Sequence, residues 1–164
     1  MSNKQSVAFV DALYDLLSQR HEAPFALHEP YINEEAQVEV QKCIESGWVS
    51  SVGHYVDQFK EDLRTLTKSP FVALTNTGTS ALHLALHLLE VGIGDEVILP
   101  SLTFVATGNA VLYRRAIPYF VDVSNERLSI CPESLDYELK SNTYLNTSGQ
   151  RINKSTGRQI KAII

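Results

Sequence analysis

The residues best suited to chemistry are a run of small polar ones, Asn76-Thr77-Gly78-Thr79-Ser80, followed directly by the apolar stretch from Ala81 to Leu89. A helix starting there leaves unpaired backbone N–H groups and the positive end of its dipole at the turn, and the two together attract an anion such as phosphate. Gly78 lets the backbone come close to a ligand, and Thr79 and Ser80 add hydroxyl donors. The same letters also suit an ordinary helix start, because Thr and Ser cap helices without any ligand. On these residues alone both readings stay open.

Other chemical constellations fail on their letters. A P-loop needs Gly-Lys-Ser/Thr, which the chain lacks, and Gly92-Ile93-Gly94 supplies two glycines ahead of a strand where a dinucleotide fingerprint needs three ahead of a helix. His83 and His87 are four apart on one helix face, but Leu84 stands where a zinc-peptidase helix carries Glu, so they read as surface or packing histidines and no metal is expected. His21 and His28 lack partners at metal spacing. Cys43 and Cys131 are too few and too far apart for a disulfide framework, and are expected to be reduced and buried.

Composition narrows the partners. The chain has 164 residues, enough for a domain that buries roughly 70% of its unfolded surface. A net charge of -5 without a basic stripe argues against nucleic acid. No apolar run approaches a membrane span, and Asp11 and Asp15 interrupt the N-terminal segment where a signal peptide would be continuous, so the expected setting is cytoplasmic with no membrane partner.

The surrounding elements must hold the candidate turn. Residues 4–19 set Val7, Val10, Leu13 and Leu17 on a helical stripe that can lie against the body of the protein. Pro24 and Pro30 make the next stretch an extended connector. Asn33, followed by Glu34 and Glu35, with Gly47 beyond, predicts a helix between them. A polar and aromatic loop over 48–55 leads to another amphipathic helix over 56–68. From Phe71 the texture changes to a buried strand (71–76), a buried helix (80–91), a turn and strand (92–100), a helix (104–115) and a strand (116–123). This alternation predicts an α/β fold with a mainly parallel sheet flanked by helices. A short helix over 131–139, a polar stretch over 140–159 read as a long loop or small excursion, and an apolar strand over 160–164 follow. The organisation expected is an N-terminal helix and connector (1–32) and the first part of a large domain (33–164). Because a buried parallel strand is normally followed by a loop and a covering helix, the chain is expected to be truncated in its last strand, the front of a longer protein.

Residues 71–123 contain, in order, GTSALHLAL (78–86), GDEVILPSLTFVAT (94–107) and a strand ending FVDV (120–123). This stretch resembles the DegT/DnrJ/EryC1/StrS family of nucleotide-sugar aminotransferases, pyridoxal 5'-phosphate (PLP) enzymes of fold type I. LHEP (27–30) and SGWVSSVGHYVDQFKEDL (46–63) look like that family's N-terminal region, particularly in the branch acting on UDP-linked 4-keto-6-deoxy sugars. The resemblance runs over roughly residues 25–164, the incomplete large domain of such a transferase.

The resemblance implies that Gly78, Thr79 and Ser80 hold the cofactor phosphate, and that Phe104 stacks on the pyridine ring; without it, Phe104 reads as a core residue at a helix start. Trp48, Ser50 and Ser51 match a loop that lies near the active site in relatives, where they would contact substrate. It implies a keto-sugar nucleotide as amino acceptor, an amino acid, glutamate foremost, as donor, a product for cell-surface polysaccharide or glycan synthesis, and a homodimer. The family's catalytic lysine has no match here, Lys161 reading as an edge or surface residue, so no catalytic residue is assigned and the chain alone is expected to be inactive. Two alternatives remain: a PLP-dependent sugar dehydratase of the same family, and a non-catalytic α/β module binding a phosphorylated ligand.

Overall fold

The structure is a computed structural model that describes residues 3–19 and 30–164. The connector around Pro24, and all of LHEP but Pro30, lie outside the described residues. Two compact units divide the chain, Met1–Glu61 and Asp62–Ile164, so the break falls later than the boundary expected at residue 32. A change of composition marks a connector, and a connector can lie within a unit.

The first unit carries α1 (Asn3–Ser18), α2 (Glu34–Ser46) and the start of α3 (His54–Thr67). The cap signals around α2 are borne out: Asn33 Oδ1 accepts from Ala36 N at 2.8 Å, and Gly47 closes the helix with φ +74°, a left-handed conformation that suits glycine. The stripe on α1 departs from expectation. Val7, Val10 and Leu13 are exposed and only Leu17 is half-buried, so sequence amphipathicity supplied an apolar face without a described surface that covers it.

In the second unit a three-stranded parallel sheet runs in the order β2 (Ile117–Val121), β1 (Glu96–Pro100), β5 (Ile160–Ile163). β1 pairs with β2 from Glu96↔Ile117 to Pro100↔Val121, and with β5 through Glu96↔Ile160 and Ile98↔Ile163, with one irregularity after Glu96. As the middle strand β1 is buried on both faces, which explains its unbroken apolar run Val97-Ile98-Leu99. Successive side chains point to opposite faces. Val97 therefore joins Leu86, Val91, Ala110, Val111 and Ala116, from α4 (Gly78–Leu88), α5 (Val105–Tyr113) and their following turns. Ile98 instead joins Val121 and Ile160 beneath Leu135 and Leu139 of α6 (Pro132–Ser141). Helices thus cover both faces of a parallel sheet, as the alternating pattern predicted, and each fully buried Leu or Val contributes about 1.5–3 kcal/mol.

Two expectations are corrected and one alternative is decided. Residues 71–76 form no strand; Val72 and Leu74 are half-buried while Phe71, Ala73 and Thr75 are exposed, a two-residue alternation with no neighbouring strand among the described residues to complete a ladder. Within α4 only Leu86 is buried, and Leu88 is 72% exposed, so its apolar length exceeds the surface it covers. The polar stretch 140–159 is not the long loop but the small excursion of the two readings, an antiparallel hairpin of β3 (Thr143–Leu145) and β4 (Arg151–Asn153). Asn146 Oδ1 shapes its turn by accepting from Ser148 N and Gln150 N, and Gly149 takes φ +76°.

Glu96, only 2% exposed, fastens this hairpin to the sheet. Its carboxylate accepts from Asn153 Nδ2 at 2.8 Å and Thr156 Oγ1 at 2.7 Å, and its backbone N–H donates to Gln159 O at 2.7 Å.

Candidate functional site

The turn before α4 is capped from within. Thr77 sits in extended backbone and its Oγ1 accepts from Ser80 N at 3.1 Å, while Ala81 N donates to Thr77 O. These bonds use the N–H groups of Ser80 and Ala81 and leave those of Gly78 and Thr79, the first two of the helix, for an external acceptor. Ser80 Oγ donates to Asn76 Oδ1 at 2.9 Å and lies 3.0 Å from Thr77 Oγ1. Gly78 has no left-handed φ, and a Cβ built there would meet nothing within 4 Å. Nothing among the described residues requires glycine at this position, whereas a ligand pressed against the backbone would.

Phe104 lies at the N-cap of α5, directly after β1, and its ring is 78% exposed, so it is not the core residue that its sequence position alone suggests. A helix N-cap favours Ser, Thr, Asp or Asn, and Phe104 makes no capping bond. Its presence there stabilises neither the helix end nor the core.

Both features face the same edge of the sheet. The C-terminal ends of α4 and α5 are tied together, because Arg114 Nε donates to Val91 O at 2.9 Å and Leu86 packs with Val111. Two packed helices with adjoining C-termini have N-termini directed the same way. For helices that run back along parallel strands, that direction is the carboxyl edge of the sheet, where open α/β sheets bind ligands.

Trp48 and Ser50 belong to the first unit, where they line a hollow of about 470 Å³ with Lys42, Cys43, His54 and Tyr55. Ser51 is exposed and is not part of its wall. Trp48 folds over Gly53, whose built Cβ would lie 3.4 Å from Trp48 Cβ at φ +138°. Lys42 Nζ meets Glu39 Oε1 at 2.7 Å; this lysine, followed by the Tyr55 hydroxyl, holds the Glu39 carboxyl below its ordinary value.

The remaining candidates are placed simply. His83 is half-buried with its ring edge toward Tyr113, 5.9 Å between centroids, and His87 is exposed. Cys43 and Cys131 are free thiols, half-buried where burial was expected. Lys161 is half-buried on β5. Among the described residues no three His, Cys, Asp or Glu side chains gather as a metal site, and no helix is long and apolar enough to cross a membrane.

A second hollow, at the carboxyl end of β2, is lined by Ser101, Asp122, Glu133, Tyr137 and Glu138. The Asn142 amide and then the Tyr119 hydroxyl hold the Glu138 carboxyl below its ordinary value. Conversely, burial and then Glu138 push the Tyr119 hydroxyl up to about 12. Asn76 and Thr77 belong to the polar run that the sequence offers, but the letters give them no role of their own; the structure makes Thr77 the N-cap and Asn76 the acceptor of the Ser80 hydroxyl.

Comparison with known proteins supplies the lineage. A GDP-perosamine synthase of Vibrio cholerae is 34% identical over 117 residues, which is 71% of this chain and 32% of the relative. A DegT DnrJ EryC1 StrS aminotransferase from Brucella abortus superposes with a TM-score of 0.64 at 27% identity, over 83% of this chain and 36% of that one. NtdA of Bacillus subtilis, solved with bound cofactor PMP, gives 0.59 at 27% identity, over 74% and 30%. The chain spans about a third of the length of the curated relatives it matches. The profile of the DegT/DnrJ/EryC1/StrS aminotransferase family matches residues 30–152, which contain the capped turn, β1 and the Phe104 helix start, and the chain belongs to that family.

Proposed function

We propose that this chain is the N-terminal part of a PLP-dependent aminotransferase that moves an amino group, from glutamate as donor, to a keto-sugar nucleotide for cell-surface polysaccharide or glycan synthesis. The observation that carries the reading is the α4 turn, with two free N–H donors, a glycine that nothing among the described residues requires and adjacent hydroxyls, within a chain of this family. The donor set suits a phosphate monoester, because backbone N–H groups and hydroxyls at a positive helix end are the usual partners of such an anion. Bound PLP supplies the electron-withdrawing ring through which an amino group is exchanged between an amino acid and a keto carbon.

The chain's own residues bind and orient. Gly78 and Thr79 hold the phosphate by their N–H groups, with the Thr79 and Ser80 hydroxyls beside them, and the exposed Phe104 ring covers one face of the pyridine. Trp48, Ser50 and Ser51 contact the sugar nucleotide. The lysine that performs the proton shuttling lies outside these 164 residues, and the complete enzyme is a homodimer. Two unpaired thiols accord with a reducing compartment, and the reading places the enzyme in the cytoplasm.

The test is a half-reaction. The intact protein loaded with PLP and given glutamate is expected to convert the cofactor to PMP, followed by absorbance, and to return to PLP when a UDP-4-keto-6-deoxy sugar is added. The 164-residue chain alone is expected to give no turnover. Failure of the intact protein to form PMP with any amino donor would sink the aminotransferase reading, and turnover by the short chain would sink the claim about the lysine.

A further inference from the structure

Three short contacts join the side chains at the α4 turn: Ser80 Oγ to Asn76 Oδ1 at 2.9 Å, Thr77 Oγ1 to Ser80 Oγ at 3.0 Å, and Ser80 N to Thr77 Oγ1 at 3.1 Å. With the Ser80 hydrogen given to Asn76, the Thr77 hydroxyl is the donor to Ser80 Oγ. The hydroxyls therefore run as a relay from Thr77 through Ser80 to Asn76. A serine hydroxyl has a single hydrogen, so Ser80 cannot donate to Asn76 and to a phosphate at the same time. A carboxamide, however, carries an acceptor oxygen and a donor nitrogen that exchange places by a half-turn about its last bond.

We propose that Asn76 is a positioning residue with two settings, its Oδ1 accepting the Ser80 hydroxyl as in this structure, and its Nδ2 donating to Ser80 Oγ when a phosphate monoester takes the Ser80 hydrogen. Rotation leaves the Thr77 and Ser80 hydroxyl hydrogens each with a partner in both settings, which aspartate cannot do because its ionised carboxylate only accepts. Asn76 acts through Ser80 and need not touch the ligand. The inference rests on the reading of this turn as the cofactor's phosphate seat.

The test uses the intact protein and two probes, PLP and pyridoxal, which lacks the phosphate. Dissociation constants are measured by ultrafiltration, with free ligand read by absorbance, for the parent, Asn76→Asp, Ser80→Ala and the double variant. Asn76 is exposed, so its replacement leaves the packing of α4 intact. In the parent background Asn76→Asp is expected to weaken PLP about thirtyfold, about tenfold from the locked hydroxyl and about threefold from the added charge. With Ser80→Ala already present only the charge part remains, about threefold, because the hydroxyl through which Asn76 acts is gone. Pyridoxal binding is expected to change by less than about twofold throughout.

An equal loss in both backgrounds would overturn the positioning role while leaving the phosphate seat in place. Equal affinity of the parent for PLP and pyridoxal would overturn both, and is distinguishable because it needs no variant.

Discussion

Replacing Glu96 tests what holds the 143–159 hairpin on the sheet. The Glu96 carboxylate is almost fully buried and receives two donors, Asn153 Nδ2 at 2.8 Å and Thr156 Oγ1 at 2.7 Å. Glu96→Ala strands the buried Asn153 amide, while Thr156, an exposed residue, can turn its hydroxyl to water; an unsatisfied buried donor costs about 1–3 kcal/mol. Relief from burying a carboxylate offsets part of that and the lost Thr156 bond adds to it, leaving a net loss of about 2 kcal/mol. At about 2–4 °C per kcal/mol for a chain of this size, the melting midpoint should fall by about 4–8 °C. Glu96→Gln keeps the shape but loses the charge and turns a donor toward one partner, so about half that loss is expected. Thermal unfolding by circular dichroism gives the magnitude, and amide exchange gives the place: protection should fall first over residues 151–159. A loss below about 1 kcal/mol for Glu96→Ala, or unchanged exchange in that segment, would refute the reasoning.

Two further perturbations bear on local packing. Tyr119 ionises at an ordinary 10.0 when unfolded and at about 12 when folded, so its contribution is complete below pH 10 and is lost as the pH rises to 12; Tyr119→Phe should flatten the alkaline loss of stability seen in denaturant titrations over that window. Gly53→Ala imposes a side chain at φ +138°, with its Cβ in contact with Trp48 at 3.4 Å, for a cost of about 1–3 kcal/mol from the backbone strain. The chain contains one tryptophan, so a shifted emission spectrum reports directly on that contact, and an unchanged spectrum with unchanged stability would contradict it.

The parts legible in the sequence are those decided locally. Asn33 and Gly47 bracket α2 because caps depend on a few neighbouring residues, and β1 and β2 follow from apolar runs of strand length between turn residues. Residues 71–76 carry the same kind of run yet make no strand, because a ladder is a property of two segments and one segment's letters do not specify its partner. The hairpin was hidden for the opposite reason: its strands are three residues long and its polar groups are satisfied by tertiary partners, Glu96 for Asn153, and the Leu139 carbonyl and Thr143 for Arg151. At the site, the turn's composition suits an anion seat and a plain helix cap alike, while the Asn76–Thr77–Ser80 relay depends on side-chain rotamers that no spacing rule encodes.

The most direct measurement is a crystal structure of the intact protein with PLP bound. Phosphate oxygens are expected about 2.7–3.2 Å from the N–H nitrogens of Gly78 and Thr79, with the Phe104 ring against the pyridine face. A cofactor whose phosphate is bound elsewhere, with this turn facing only solvent, would contradict the account.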